Sequence, residues 1–155
     1  MGLSMKIVDI LSPDAILYNV DASSKKQLLE TMAVLAAEKT GLDERLILDA
    51  LVERERLGTT GIGRGVALPH TRLSMLKRIF CAFVKTKPVD FESVDDKPVD
   101  LAFLLLVPEE AGADHLKALA RLSRLLRDES VATALRQAKD TKAAYQIIEQ
   151  NDTDD

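Results

Sequence analysis

The segment Glu53-Arg54-Glu55-Arg56-Leu57-Gly58-Thr59-Thr60-Gly61-Ile62-Gly63-Arg64-Gly65-Val66-Ala67-Leu68-Pro69-His70 holds the residues best suited to chemistry in this chain. Gly61, Gly63 and Gly65 stand at alternate positions, and glycine frees backbone N–H groups and lets an anion approach the main chain closely. An arginine beside such a loop can neutralise the anion. The imidazole of His70, fixed by the proline before it, can act as a nucleophile. With an ordinary pKa of roughly 6.5, histidine offers an unprotonated nitrogen near neutral pH and can take up and release a phosphoryl group without a separate base. That group carries about two negative charges, so its site must supply a guanidinium, hydroxyls and backbone donors. A dinucleotide fingerprint would need a strand before the glycines and a helix after them; here the order is helix, loop, strand. Neither a Walker motif nor a kinase motif set is present, so the expected phosphate source is another protein and not ATP.

The elements that must hold this segment are legible in outline. A chain of 155 residues, 46% hydrophobic, is long enough for one core, and we expect one domain over 1–155 with its ordered part at about 6–150. A charged content of 30% with a net charge of −4 predicts a well-solvated surface and argues against nucleic acid as a partner. The single cysteine, Cys81, cannot form an internal disulfide and sits in the apolar run Ile79 to Val84, where it should behave as a small buried hydrophobe. The longest apolar run, Leu101 to Pro108, is far short of the roughly 20 residues that span a bilayer, and the N-terminus lacks a signal-peptide pattern. No membrane insertion is expected, and a cytoplasmic location follows.

Ile7, Ile10 and Leu11 predict a brief helical patch ended by Ser12-Pro13, followed by a short strand at Ala15 to Tyr18. Ser24 with Gln27 reads as a capping box opening a helix over about 24–40, stopped by Gly41. A second helix runs from near Asp43 to Gly58. Thr59 to Gly65 reads as a loop, and Val66-Ala67-Leu68 as a short strand stopped by Pro69, with His70 just beyond it. Strands are expected at about 79–85 and 101–107, the latter central because it is apolar throughout. Their connection is too short and polar for a crossover helix, which points to an antiparallel pair and a mixed sheet. Helices are expected at about 113–127, 130–138 and 141–150, with the acidic tail Asn151 to Asp155 fraying. The fold class is therefore α/β: a sandwich with a small mixed sheet flanked by helices.

The chain resembles the fructose, mannitol and nitrogen-regulatory type of enzyme IIA in the bacterial phosphoenolpyruvate-dependent phosphotransferase system. The resemblance rests on Arg54-Glu55, then Thr60 before Gly61-Ile62-Gly63, then Val66-Ala67-Leu68-Pro69-His70, all at the family's spacing. It extends to Leu11-Ser12-Pro13, Ser23-Ser24-Lys25-Lys26 and the late helices. It implies that His70 is the phosphoryl acceptor, through its Nε2, and that Arg54 stabilises the phosphate charge. Thr60, Gly61 and Gly63 would bind the phosphate. His115, in Ala113-Asp114-His115-Leu116, falls where the family places a second histidine beside the first, and its implied role is to orient or stabilise. Thr71 and Arg64 depart from the pattern: the family usually has a small residue, commonly glycine, at the first position and more often asparagine or an acidic residue at the second. Both are expected at the rim of the site, where they would bear on partner choice.

The resemblance implies a phosphotransferase without a cofactor, fed by an HPr-like phosphocarrier through a transient complex on a partly apolar rim. Chain length, the absence of a fused IIB or membrane segment and the Thr60-Gly61-Ile62-Gly63 wording resemble the nitrogen-regulatory branch, whose phosphorylation state controls targets such as transporters or sensor kinases. A sugar-specific IIA component passing phosphate to a IIB domain is the alternative. A phosphate-independent interaction module on the same fold is a third reading, and retention of both histidines and Arg54 speaks against it. Two histidines could also serve zinc, but no third ligand stands at metal spacing and the only cysteine is in an apolar run, so no metal is expected.

Overall fold

The computed structural model describes residues 5–153. Three-residue 3₁₀ turns at Ile7–Asp9 and Pro13–Ala15 lead into β1 (Ile16–Val20), α1 (Lys25–Thr40) and α2 (Glu44–Arg56). Three short strands follow, β2 (Gly61–Gly63), β3 (Val66–Ala67) and β4 (His70–Leu73), then the long strands β5 (Phe80–Val89) and β6 (Val99–Pro108). Helices α3 (Ala113–Arg127), α4 (Glu129–Gln137) and α5 (Thr141–Asn151) complete the described chain. The result is an α/β fold with a mixed six-stranded sheet in the order β1-β5-β6-β3-β2, β4 also pairing with β6.

The helix ends follow from local chemistry. Ser24 Oγ accepts from Gln27 N–H at 3.0 Å, while Gln27 Oε1 reaches back to Ser23 N–H, one residue earlier than a standard capping box requires. Gly41, at φ 78°, closes α1 in the left-handed region, and Asp43 Oδ1 caps the start of α2 through Arg45 N–H. The sheet is ordered around β6, whose residues Leu101 to Val107 are at most 1% exposed, so it can lie only in the middle. It runs antiparallel to β5, and the facing pair Phe83 and Phe103 brings two rings within 4.8 Å between centres. Cys81 is fully buried in β5 opposite Leu105, and desolvation pushes its thiol far above the ordinary value.

Two expectations are corrected and a third is extended. The segment read as a loop contains β2, antiparallel to β3. Arg64 (φ 59°) and Gly65 (φ 81°) make the two-residue turn between them, both with the positive φ that a type I′ hairpin demands. His70 stands beyond β3, as expected, but it also opens a further strand, β4, that the sequence did not foretell. The tail does not fray at Asp152, which is buried: its carboxylate accepts from Ile7 N–H and from Arg121 Nε, both at 2.6 Å. A guanidinium and an unpaired N–H of the first 3₁₀ turn hold a side chain whose composition alone predicts solvation. Asp154 and Asp155 lie outside the described residues.

Candidate functional site

β3 and β4 pair with β6 in one register: Val66 faces Leu101, Ala67 faces Ala102 and His70 faces Leu105. They form a single strand interrupted at Leu68–Pro69, because proline has no N–H to give the ladder. Pro69 still contributes its carbonyl, which accepts from Leu105 N–H at 3.0 Å. The Leu68 carbonyl is left for the His70 ring, whose Nδ1 lies 2.8 Å from it. A carbonyl only accepts, so Nδ1 carries the proton and the lone pair resides on Nε2. Burial pushes the His70 imidazole below its ordinary value, and the Arg54 and His115 side chains add to that shift. The Leu68 hydrogen bond and the Glu55 charge pull the other way without reversing it. At neutral pH the ring is neutral, with its Nε2 lone pair available for chemistry.

His115 lies in the first turn of α3, its ring centre 6.3 Å from that of His70 and its plane tilted by 41°. Burial and the Arg72 cation push its pKa down. Arg54, in the last turn of α2, donates through Nη1 to Gly58 O at 2.9 Å, which holds its charge over the start of the glycine-rich segment. β4 and α3 thus set His70 and His115 side by side, and Arg54 on α2 is near enough for its charge to act on the His70 ring.

Thr60, Gly61 and Gly63 are placed differently from that trio. Thr60 is buried, and both its N–H and its hydroxyl donate to the Glu55 carboxylate. Glu55, also buried, receives Lys25 Nζ at 2.9 Å, and Lys25 in turn sits 4.7 Å over the Phe91 ring. Gly61 packs against Ser93: a Cβ there would fall inside the contact distance of Ser93 Oγ and 3.1 Å from its Cα. The glycines thus admit the 91–95 segment beside β2. Thr71 turns to the opposite side of β4 from His70 by strand alternation, and the exposed Arg64 side chain pairs with Glu129 on α4 at 3.4 Å. Neither behaves as the rim residue anticipated from the sequence.

The sequence reading passed over Arg72, which donates to Glu109 O at 2.8 Å and lies 3.2 Å from His115 Nδ1. The signal was its two-residue spacing from His70, visible only once residues 70–73 are known to be a strand. The segments carrying the site also expose Leu57, Ile62, Val94 and Leu116.

Residues 9–151 match the family model described as phosphoenolpyruvate-dependent sugar phosphotransferase system, EIIA 2. The chain is 52% identical to a nitrogen regulatory protein of Bradyrhizobium diazoefficiens over 145 residues, which is 93% of this chain and 95% of that one. It is 42% identical to a nitrogen regulatory protein of Pseudomonas aeruginosa over 146 residues, again 93% and 95%. The crystal structure of nitrogen regulatory protein IIA-Ntr from Neisseria meningitidis superposes with a TM-score of 0.88 at 36% identity, covering 92% of this chain and 98% of that one. The chain belongs to the EIIA 2 family of the phosphotransferase system. It is an EIIA-type phosphocarrier whose near relatives are the nitrogen regulatory IIA proteins. Among the described residues, no helix is long and apolar enough to cross a membrane.

Proposed function

We propose that His70 accepts a phosphoryl group on Nε2 from a phosphohistidine of an HPr-like carrier in the cytoplasm, and that its phosphorylation state regulates target proteins such as a transporter or sensor kinase. The observation that carries this reading is the 2.8 Å contact of Nδ1 with Leu68 O, which leaves the Nε2 lone pair free. In the transfer, the N–P bond to the donor imidazole breaks as the bond to Nε2 forms, and Nδ1 keeps its proton against the Leu68 carbonyl. That carbonyl then favours the ring charge that accompanies the phosphorylated form. Arg54 offsets the charge on the transferring group and His115 steadies it. Thr60 braces the entry to the Gly61–Gly63 strand through its two hydrogen bonds to Glu55. The exposed Leu57, Ile62, Val94 and Leu116 suit a transient docking rim.

Intact-mass spectrometry after incubation with phosphoenolpyruvate, enzyme I and an HPr-type carrier tests the reading. One acid-labile phosphoryl group is expected on the native protein and on His115→Ala, and none on His70→Ala. A folded native sample that takes no label from several carriers would overturn the reading in favour of a phosphate-independent interaction module. Rapid onward transfer to a IIB domain would favour the sugar-specific role.

A further inference from the structure

Strand β4 puts His70 and Arg72 on one side of the sheet, two residues apart. The Arg72 guanidinium divides its donors between a group on the β6–α3 connection and one on the first turn of α3. One is the carbonyl of Glu109, at the turn after β6, and the other is Nδ1 of His115. A guanidinium has five N–H donors and no acceptor, so a ring nitrogen bonded to it must present its lone pair. A neutral His115 then carries its proton on Nε2, across the ring from Arg72.

We propose that Arg72 is the positioning residue of this site: by donating to His115 Nδ1 it holds His115 as an Nε2–H donor for the phosphoryl oxygens on His70. The inference rests on the reading of His70 as the acceptor. A phosphoryl group presents only acceptors, so an imidazole beside it helps through an N–H and hinders through a lone pair. A neutral imidazole left to itself distributes its proton between two nitrogens and is free to turn over; a donor fixed at Nδ1 removes both freedoms. The bond to Glu109 O ties Arg72 to the backbone just ahead of the helix that carries His115, so ring and arginine are held in one frame. With 6.3 Å between the ring centres, His115 lies beside the ring that would carry the phosphoryl group. Arg72 is exposed, so its replacement leaves the core untouched.

The test combines two measurements on Arg72→Met, Arg72→Lys, His115→Ala and the Arg72→Met/His115→Ala pair. Ring ¹⁵N shifts of the unphosphorylated protein are expected to show His115 as a single Nε2–H tautomer in the native chain. In Arg72→Met they should move toward the averaged values of a free imidazole, and Arg72→Lys should recover part of the native pattern. Phosphoryl acceptance from the HPr-type carrier should slow roughly tenfold in Arg72→Met, the scale of one lost charge-assisted hydrogen bond. It should slow no further when Arg72→Met is added to His115→Ala. Unchanged ring shifts in Arg72→Met, or rate losses that multiply in the double variant, would overturn the proposal. A native protein that takes no phosphoryl group, yet shows the Arg72-dependent tautomer, would mean that the acceptor reading fails while the positioning contact stands.

Discussion

The Glu55 carboxylate accepts both the backbone N–H and the hydroxyl of Thr60, five residues further along, across the end of α2. The same carboxylate holds Lys25 Nζ at 2.9 Å, so one side chain joins the start of α1, the end of α2 and the entry to β2. Removing it leaves the N–H and hydroxyl of Thr60 without their acceptor and Lys25 with only the longer, 3.7 Å pairing to Glu92. Glu55→Ala is therefore expected to lower stability to urea by about 2–4 kcal/mol, and Thr60→Val by about 1–2 kcal/mol. Unchanged midpoints in both would show that the anchor has no stabilising role.

Burial lowers the folded pKa of His70 below its unfolded value, so the folded protein binds that proton more weakly than the unfolded chain does. The resulting stability is complete above the unfolded value of roughly 6.5 and is lost as pH falls through the folded value. Phosphoryl acceptance should follow the neutral ring, level near neutral pH and declining only below the ordinary histidine value. Arg54→Gln removes a cation that disfavours protonation, so the His70 titration seen by NMR should move upward even as acceptance slows. A native midpoint at or above the ordinary value would contradict the burial argument.

Gly61→Ala sets a methyl group against Ser93 at a distance that packed atoms do not tolerate. A loss of about 1–3 kcal/mol is expected. Because Ser93 supplies the obstruction, Ser93→Gly should restore much of it in the double variant, and a thermodynamic cycle reads this coupling directly. Additive losses would place the strain elsewhere.

Asp152 is paired with Arg121 in a buried setting, and it also holds the N–H of Ile7. Asp152→Ala should cost about 3–5 kcal/mol, the range for deleting one member of a buried pair. A melting temperature close to native would show instead that the far end of α5 is loosely held.

Legibility in the sequence divides along the range of the interactions involved. The ends of α1 and the start of α2 could be read because Ser24, Gly41 and Asp43 act on backbone only a few residues away. The place of β6 could be read because seven successive apolar residues have nowhere to go but the middle of a sheet. The candidate trio of His70, Arg54 and His115 came from one long motif and a family likeness. Strand β4 was hidden: His70-Thr71-Arg72-Leu73 shows little apolar alternation, and its strand character comes from pairing with β6, far along the chain. Arg72 was hidden with it, and the buried Asp152 carboxylate depends on partners at residues 7 and 121 that composition does not reveal.

The broken strand has a consequence for accuracy. Since β3 and β4 keep one register on β6, the position of His70 is indexed by which buried residue of β6 stands opposite it, and Leu105 fills that place. A slip of one residue would turn the imidazole to the other face and bring Thr71 round in its stead. It would also drive Leu73, buried in the native register, toward the opposite side. The apolar interior thus works as a ruler for the site: the same contacts that exclude water also forbid the misalignment that would turn His70 away from His115.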